Sequence, residues 1–166
     1  MEKWLRRYLG ATLVGGGMIA IVISGGYLFY PDVDTVSYAL LVAAMALFAW
    51  SFIAGILILE GGTSRNLYYQ ALALQLLQIP IIFISELSYQ FATGFRLEFM
   101  LFPEDSSFKF TFNLGSISTL SINEEPLTPI WGVNVAALIT SVLIWKCFIN
   151  PKQASNSETQ ESPVQK

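Results

Sequence analysis

Four long apolar stretches divide this chain. They cover residues 9–30, 36–59, 67–92 and 130–149. A hydrocarbon core about 30 Å thick is crossed by a helix of roughly 20 apolar residues, each adding about 1.5 Å. Backbone polar groups in lipid must find their hydrogen-bond partners within the protein. The pattern therefore predicts an all-α transmembrane four-helix bundle, with three of its helices in residues 1–92.

A different pattern fills residues 93–129, between the third and fourth stretches. Apolar and polar residues alternate over 95–101 and 108–114, turn-forming residues lie between these segments, and a third alternating segment covers 117–122. A period of two places successive side chains on opposite faces of a strand. We therefore predict a small extracytoplasmic antiparallel β meander inserted between the third and fourth helices.

Composition agrees with a membrane protein and narrows its chemistry. Hydrophobic residues make up 54% of the chain and charged residues 13%. The absence of histidine removes the commonest general base and metal ligand, and a single cysteine excludes chemistry by paired thiols within the chain. The net charge of −3 without a basic patch disfavours nucleic acid as a partner. We expect neither a metal nor another cofactor.

The distribution of charge predicts the orientation of the chain in a plasma membrane. Most basic residues flank one side of the predicted spans, namely Lys3, Arg6, Arg7, Arg65, Lys146, Lys152 and Lys166. The other side is mainly acidic, so the positive-inside rule places both termini in the cytoplasm, with residues 150–166 as a disordered tail. A cleaved signal peptide ending near Gly26 is an alternative for the first stretch, but the length of its apolar run favours a retained helix.

The third stretch carries the one group of residues with chemical potential. Its polar residues are Gln75, Gln78, Ser85, Glu86 and Gln90. On a helix that advances about 100° per residue they would share one face. An intramembrane carboxylate is a functional candidate by default, so Glu86 could titrate or pair with a cation above a polar path. The alternative, which we favour, is structural: glutamines bond neighbouring helices, and Arg96 or water satisfies Glu86.

The β-patterned segment offers a candidate interaction surface. Its members are the aromatic residues Phe99, Phe108, Phe110 and Phe112 together with the cations Arg96 and Lys109. The apolar row could be covered by the outer ends of the chain's own helices. Alternatively it could contact another protein or lipid, as large exposed apolar patches often do.

Three functions fit these patterns. The leading interpretation is a non-catalytic accessory or assembly partner that contacts another membrane or envelope protein through its β-rich segment. The alternative is a small transporter or channel component that uses the polar stripe around Glu86 and forms homo-oligomers through small-residue faces. A membrane enzyme acting on lipids through Glu86 and Arg96 ranks last, because the sequence shows no convincing nucleophile and base pair.

Overall fold

The computed structural model describes residues 2–29, 35–84, 87–122 and 129–150. The helices in these ranges are α1 (Glu2–Tyr27), α2 (Thr35–Leu59), α3 (Arg65–Leu77) and α4 (Val135–Ile144), the last continued by a π-helical turn (Trp145–Ile149). The strands are β1 (Pro80–Ile84), β2 (Leu87–Ala92), β3 (Phe95–Phe102), β4 (Ser107–Leu114), β5 (Ile117–Ile122) and β6 (Ile130–Asn134). All six strands belong to one antiparallel sheet.

Helices α1 and α2 form an antiparallel pair at the positions of the first two predicted spans. Ser51 in the middle of α2 donates a hydrogen bond to the carbonyl of Leu13 in α1, at 3.3 Å. Both helices are long and apolar enough to cross a membrane, a criterion of length and composition that a signal sequence near an N-terminus also meets. In the most apolar 18-residue segment of each helix, only 33% of α1 and 28% of α2 is buried, whereas the core helix of a soluble protein is mostly buried.

The third and fourth predicted transmembrane helices are wrong, and with them the four-helix bundle. Helix α3 has 13 residues, about 20 Å, and the chain then turns at Pro80 into β1 and β2. Residues 130–149 begin as β6, and α4 has only 10 residues. Strands β1 and β6 are neighbours in the middle of the sheet and carry apolar residues on both faces, so their sequences lack the alternation that distinguishes a strand from a helix.

The predicted meander is also wrong, although its three strands occupy the expected positions. The strand order is β4-β3-β6-β1-β2-β5, so β5 lies at the edge opposite to β4. Strand β5 pairs with β2, where Ala92 faces Ile117, and β4 pairs with β3, where Phe95 faces Leu114. These pairs continue a single register. Residues 87–122 therefore form one long antiparallel ribbon that is bent near its middle, which we call the bent ribbon.

Glycines make the bend possible. Gly94 and Gly115 have φ angles of +79° and +134°, a region that favours glycine, and the amide of Gly115 donates to the carbonyl of Gly94 at 2.8 Å. This bond keeps the register across the bend. The two halves of the ribbon, β2 with β5 and β3 with β4, then flank the central pair of strands β1 and β6.

Two apolar clusters hold these parts together. The larger cluster joins all four helices near residues 2 and 150, where the described chain begins and stops and which we call the end with the termini. Its members Leu9, Ile58, Leu74 and Ile144 are fully buried. The smaller cluster joins the helical pair to the sheet, where the rings of Phe48 in α2 and Phe91 in β2 stack with centroids 5.1 Å apart. The sheet is therefore packed beside α1 and α2, on the side away from the larger cluster.

Candidate functional site

The bend of the ribbon rests on the middle of α1. A Cβ atom on Gly16 would lie 2.4 Å from the amide nitrogen of Gly94, so only glycine allows this approach. The hydroxyl of Ser116 donates to the carbonyl of Gly16 at 2.6 Å. The bend is thus fixed at the level of Gly16, halfway along α1.

The end of α3 holds the same bend through a pair of hydrogen bonds. Gln78, the C-cap of α3 and 2% exposed, donates from its side-chain amide to the hydroxyl of Thr93 and accepts from the amide of Thr93, both at 3.0 Å. A glutamine at this position satisfies the backbone of a bend that no strand could pair.

The predicted polar stripe on one face of a helix is therefore wrong. Gln75 and Gln78 lie at the end of α3, whereas Gln90 lies in β2. Ser85 and Glu86 fall outside the described residues. Because the chain changes from helix to strand at Pro80, the spacing of about 100° per residue does not apply across the set.

A buried polar network crosses the concave side of the sheet. Gln90 in β2 donates to a carboxylate oxygen of Glu98 in β3 at 2.7 Å, and Arg96 forms an ion pair with the same oxygen at 3.0 Å. Strands β6 and β1 separate β3 from β2 in the sheet, so these side chains can meet only if the sheet is rolled. We call the side that carries Gln90 and Glu98 the inner face.

Glu98 lies at the centre of this network. Thr111 in β4 and Asn134 in β6 stand directly opposite it on either side. Asn134 also caps α4, accepting at its side-chain oxygen from the amide of Ala137 at 3.3 Å. Among the described residues, Nε of Arg96, Oγ1 of Thr111 and Nδ2 of Asn134 are buried without a hydrogen-bond partner.

Three residues of the network and the bend are absent from the predicted polar site, namely Glu98, Thr93 and Asn134. The spacing of Arg96 and Glu98 could have indicated their ion pair, because residues two positions apart lie on the same face of a strand. Glu98 joins Arg96 to Gln90 within the roll, and Thr93 joins the bend to Gln78. In the part of the chain that the structure describes, no group of three or more potential metal-binding residues occurs.

The opposite side of the sheet, the outer face, is apolar. Its β2 part packs against α2 through Phe91, whereas its β3, β4 and β6 part is exposed. Its most exposed row lies on β4, where Phe108 is 73%, Phe110 57%, Phe112 58% and Leu114 74% exposed. Neighbouring strands add the exposed side chains of Leu101, Trp131 and Val133. The described helices do not cover this row.

The predicted interaction surface is thus divided between the two faces. Phe99 is half-buried on the outer face, against the rings of Phe108 at 6.0 Å and Phe110 at 5.6 Å. Arg96 belongs to the buried network of the inner face. Lys109 is exposed, but its position in β4 directs it away from the phenylalanine row.

Tyr89 joins the sheet to α3 independently of the polar network. Its hydroxyl donates to the carbonyl of Leu77 at 2.6 Å, which satisfies one of the last carbonyls of the helix.

In comparisons with protein-family models, curated proteins and solved structures, nothing matches this chain.

Proposed function

We propose that this protein is a membrane-anchored, non-catalytic accessory protein that binds another membrane protein through the outer face of its sheet. Helices α1 and α2 form the anchor, and both termini lie in the cytoplasm. The sheet extends from the anchor towards the opposite side of the membrane.

The surface of the helices supports the anchor. Large apolar side chains are exposed on all four helices, including Val22 at 68%, Ile53 at 56% and Ile139 at 53%. Basic residues collect at the end with the termini, where Lys3 and Arg6 border a recess of about 310 Å³. An apolar helical surface with cations at one end favours insertion with that end in the cytoplasm.

The exposed row on β4 is the observation that carries the binding function. Four neighbouring large apolar side chains, each more than half exposed, form a patch of the kind that marks interaction sites. The row also borders a sheet edge, where a partner can approach from the side. Aromatic side chains supply large contact areas at interfaces.

The other two functions have less support. A transport path along a polar helix face has no counterpart, because Gln78 and Gln90 are bonded to Thr93 and Glu98 within the roll. An enzyme that uses Arg96 would need to expose a side chain that is 11% exposed and already paired.

A double substitution tests the proposal through the size of the complex in mild detergent. We expect the wild-type chain to migrate on a native gel together with a second protein. Phe110→Ser with Phe112→Ser should release that protein, because the patch loses most of its apolar area. The matched control, Ile139→Ser with Val142→Ser, changes exposed residues of α4 and should leave the complex intact. Migration of the wild-type chain alone, or equal loss in both variants, would contradict the proposal.

A further inference from the structure

The exposed charges of the described chain lie at two levels. One level is the end with the termini, which carries Lys3, Arg7, Glu60, Arg65 and Lys146, with Arg6 half-buried beside them. The other is the far part of the β3–β4 hairpin, with Glu104 and Asp105 in its turn and Lys109 close to it. Between these levels, the described charges are Arg96 and Glu98, which are paired and buried. The surface that the described residues form between these levels therefore lacks exposed charge, as expected of a segment immersed in hydrocarbon.

The sheet begins at the middle of this uncharged zone. The bend lies at Gly16, and α1 continues from there to Tyr27, which is about 16 Å of helix. Strand β4 ends beside the bend at Leu114, and Lys109 lies about 17 Å farther along it. The row from Phe110 to Leu114 thus lies no farther from the bend than the apolar outer half of α1 extends.

Strand β4 is an edge of the sheet at this depth. Its outward N–H and C=O groups have no neighbouring strand among the described residues. Open sheet edges are not tolerated against lipid, because each unpaired polar group costs several kcal/mol there. Acyl chains can cover the phenylalanine row, but they offer the edge no hydrogen bonds. The other edge, β5, differs because it borders a groove of about 340 Å³ formed with α1 and α2.

In the same membrane, the β4 strands of two copies cannot pair with each other. The other edge strand of a second copy, β5, runs antiparallel to β4 in the same orientation, but it contacts α2 and borders the groove between α1 and α2. Antiparallel pairing of two β4 strands would turn the second copy upside down and place its basic end outside, against the positive-inside rule. Parallel pairing of two β4 strands related by a two-fold axis along the strands would place each residue opposite the same residue of the second copy. Amide groups would then oppose amide groups, whereas a parallel ladder requires N–H groups to meet C=O groups.

We infer that β4 is completed by an extended segment of a different membrane protein, which adds a seventh strand to the sheet within the hydrocarbon layer. This inference rests on the proposed function and names its partner class: an apolar segment that enters the membrane, not a soluble domain. Main-chain hydrogen bonds to β4 supply the affinity, and side chains that pack on the phenylalanine row supply the specificity.

Cysteine accessibility tests the depth of the sheet separately from binding. In a Cys147→Ser background, Ser107→Cys at the tip and Leu114→Cys near the bend are treated in intact membranes with a membrane-impermeant maleimide. We expect Ser107→Cys to be labelled and Leu114→Cys to remain unlabelled until detergent is added. Prompt labelling of Leu114→Cys would overturn the inference and leave the proposed docking function standing, since a face in water can still bind a partner.

Photo-crosslinking tests the seventh strand. A photoreactive residue is placed in turn at Phe110, Thr111, Phe112 and Asn113, with Thr119 on edge strand β5 as the control. An added strand passes both faces of the edge, so all four positions should give an adduct with one partner. The crosslinked site in that partner, read by mass spectrometry, should move by one residue for each step along β4, and Thr119 should not capture it.

Three results would overturn the seventh strand. They are adducts with lipid alone, adducts with the mass of two copies of this chain, and adducts restricted to Phe110 and Phe112. The last result would indicate docking on the outer face without strand addition, in which case the proposed function survives.

Discussion

At the scale of single residues, the fit between α1 and the bent ribbon depends on Gly16. Three glycines follow one another at positions 15–17, and their sequence alone suggests a uniformly flexible segment. The structure separates them: Gly16 faces the backbone of the bend, whereas a Cβ on Gly15 would meet no atom within 4 Å. No pattern in the sequence marks this difference, because the contact joins residues that are about 80 positions apart.

Substitution of these glycines should therefore have opposite effects. Gly16→Ala forces Cβ against the Gly94 amide at 2.4 Å and should destabilise the fold by about 1–3 kcal/mol, the usual cost of overpacking. Gly15→Ala should be neutral or stabilising by up to about 1 kcal/mol, since alanine favours the helix. Thermal unfolding of both variants in the same detergent measures the difference. Equal stability of the two would show that the bend does not rest on Gly16.

The buried network illustrates the limit of sequence reasoning at this scale. Arg96 and Gln90 drew attention because polar residues in an apolar chain need partners, and both do have them. Their shared partner Glu98 was not identified, because only the rolling of the sheet brings β2 and β3 together. The positions of polar residues were thus predictable, whereas their pairing depended on long-range topology.

At the scale of elements, helices α1 and α2 and strands β3 to β5 were predictable because each shows one clear pattern. The stretches 67–92 and 130–149 each join a helix to central strands, and both kinds of segment are apolar throughout. Length then favours a single helix, in which Pro80 would form a kink. It is the first residue of β1, a position that proline tolerates because it has no amide to pair.

Strand pairing distinguishes the bent ribbon from the predicted meander and can be tested with disulfides. In a Cys147→Ser background, Ala92→Cys with Ile117→Cys places two thiols directly opposite each other in β2 and β5. Oxidation should form an intramolecular disulfide, because opposite Cβ atoms lie about 4.5–5.5 Å apart. Shifts on a denaturing gel report this bond.

A second cysteine pair provides the control for that experiment. Phe112→Cys with Thr119→Cys would be opposite each other if β4 and β5 formed a hairpin, but these strands occupy opposite edges of the sheet. This pair should not form a disulfide. Efficient bonding here, with none between positions 92 and 117, would restore the meander.

At the scale of the whole molecule, the described elements lie at two levels. Helices α3 and α4 lie at the end with the termini. Strand β1 follows α3 and strand β6 precedes α4, and these two strands form the middle of the sheet at the second level. The larger apolar cluster lies at the first level, and the polar network lies at the second, inside the roll. This arrangement keeps the polar groups of the second level inside the roll, although α3 and α4 are short.

The same arrangement predicts the orientation of the protein in the membrane. Arg65 begins α3 at the basic end, and Asp105 lies in the turn between β3 and β4 at the opposite end. Both cysteine variants are made in the Cys147→Ser background and expressed in intact cells. A membrane-impermeant maleimide should label Asp105→Cys, whereas Arg65→Cys should react only after the membrane is permeabilised. The reason is that several basic side chains at the other end would be costly to move across the bilayer. The acidic residues at the tip have little effect on the orientation. The reverse labelling would place the termini outside, and labelling of both positions in intact cells would show that α1 and α2 do not separate them by a membrane.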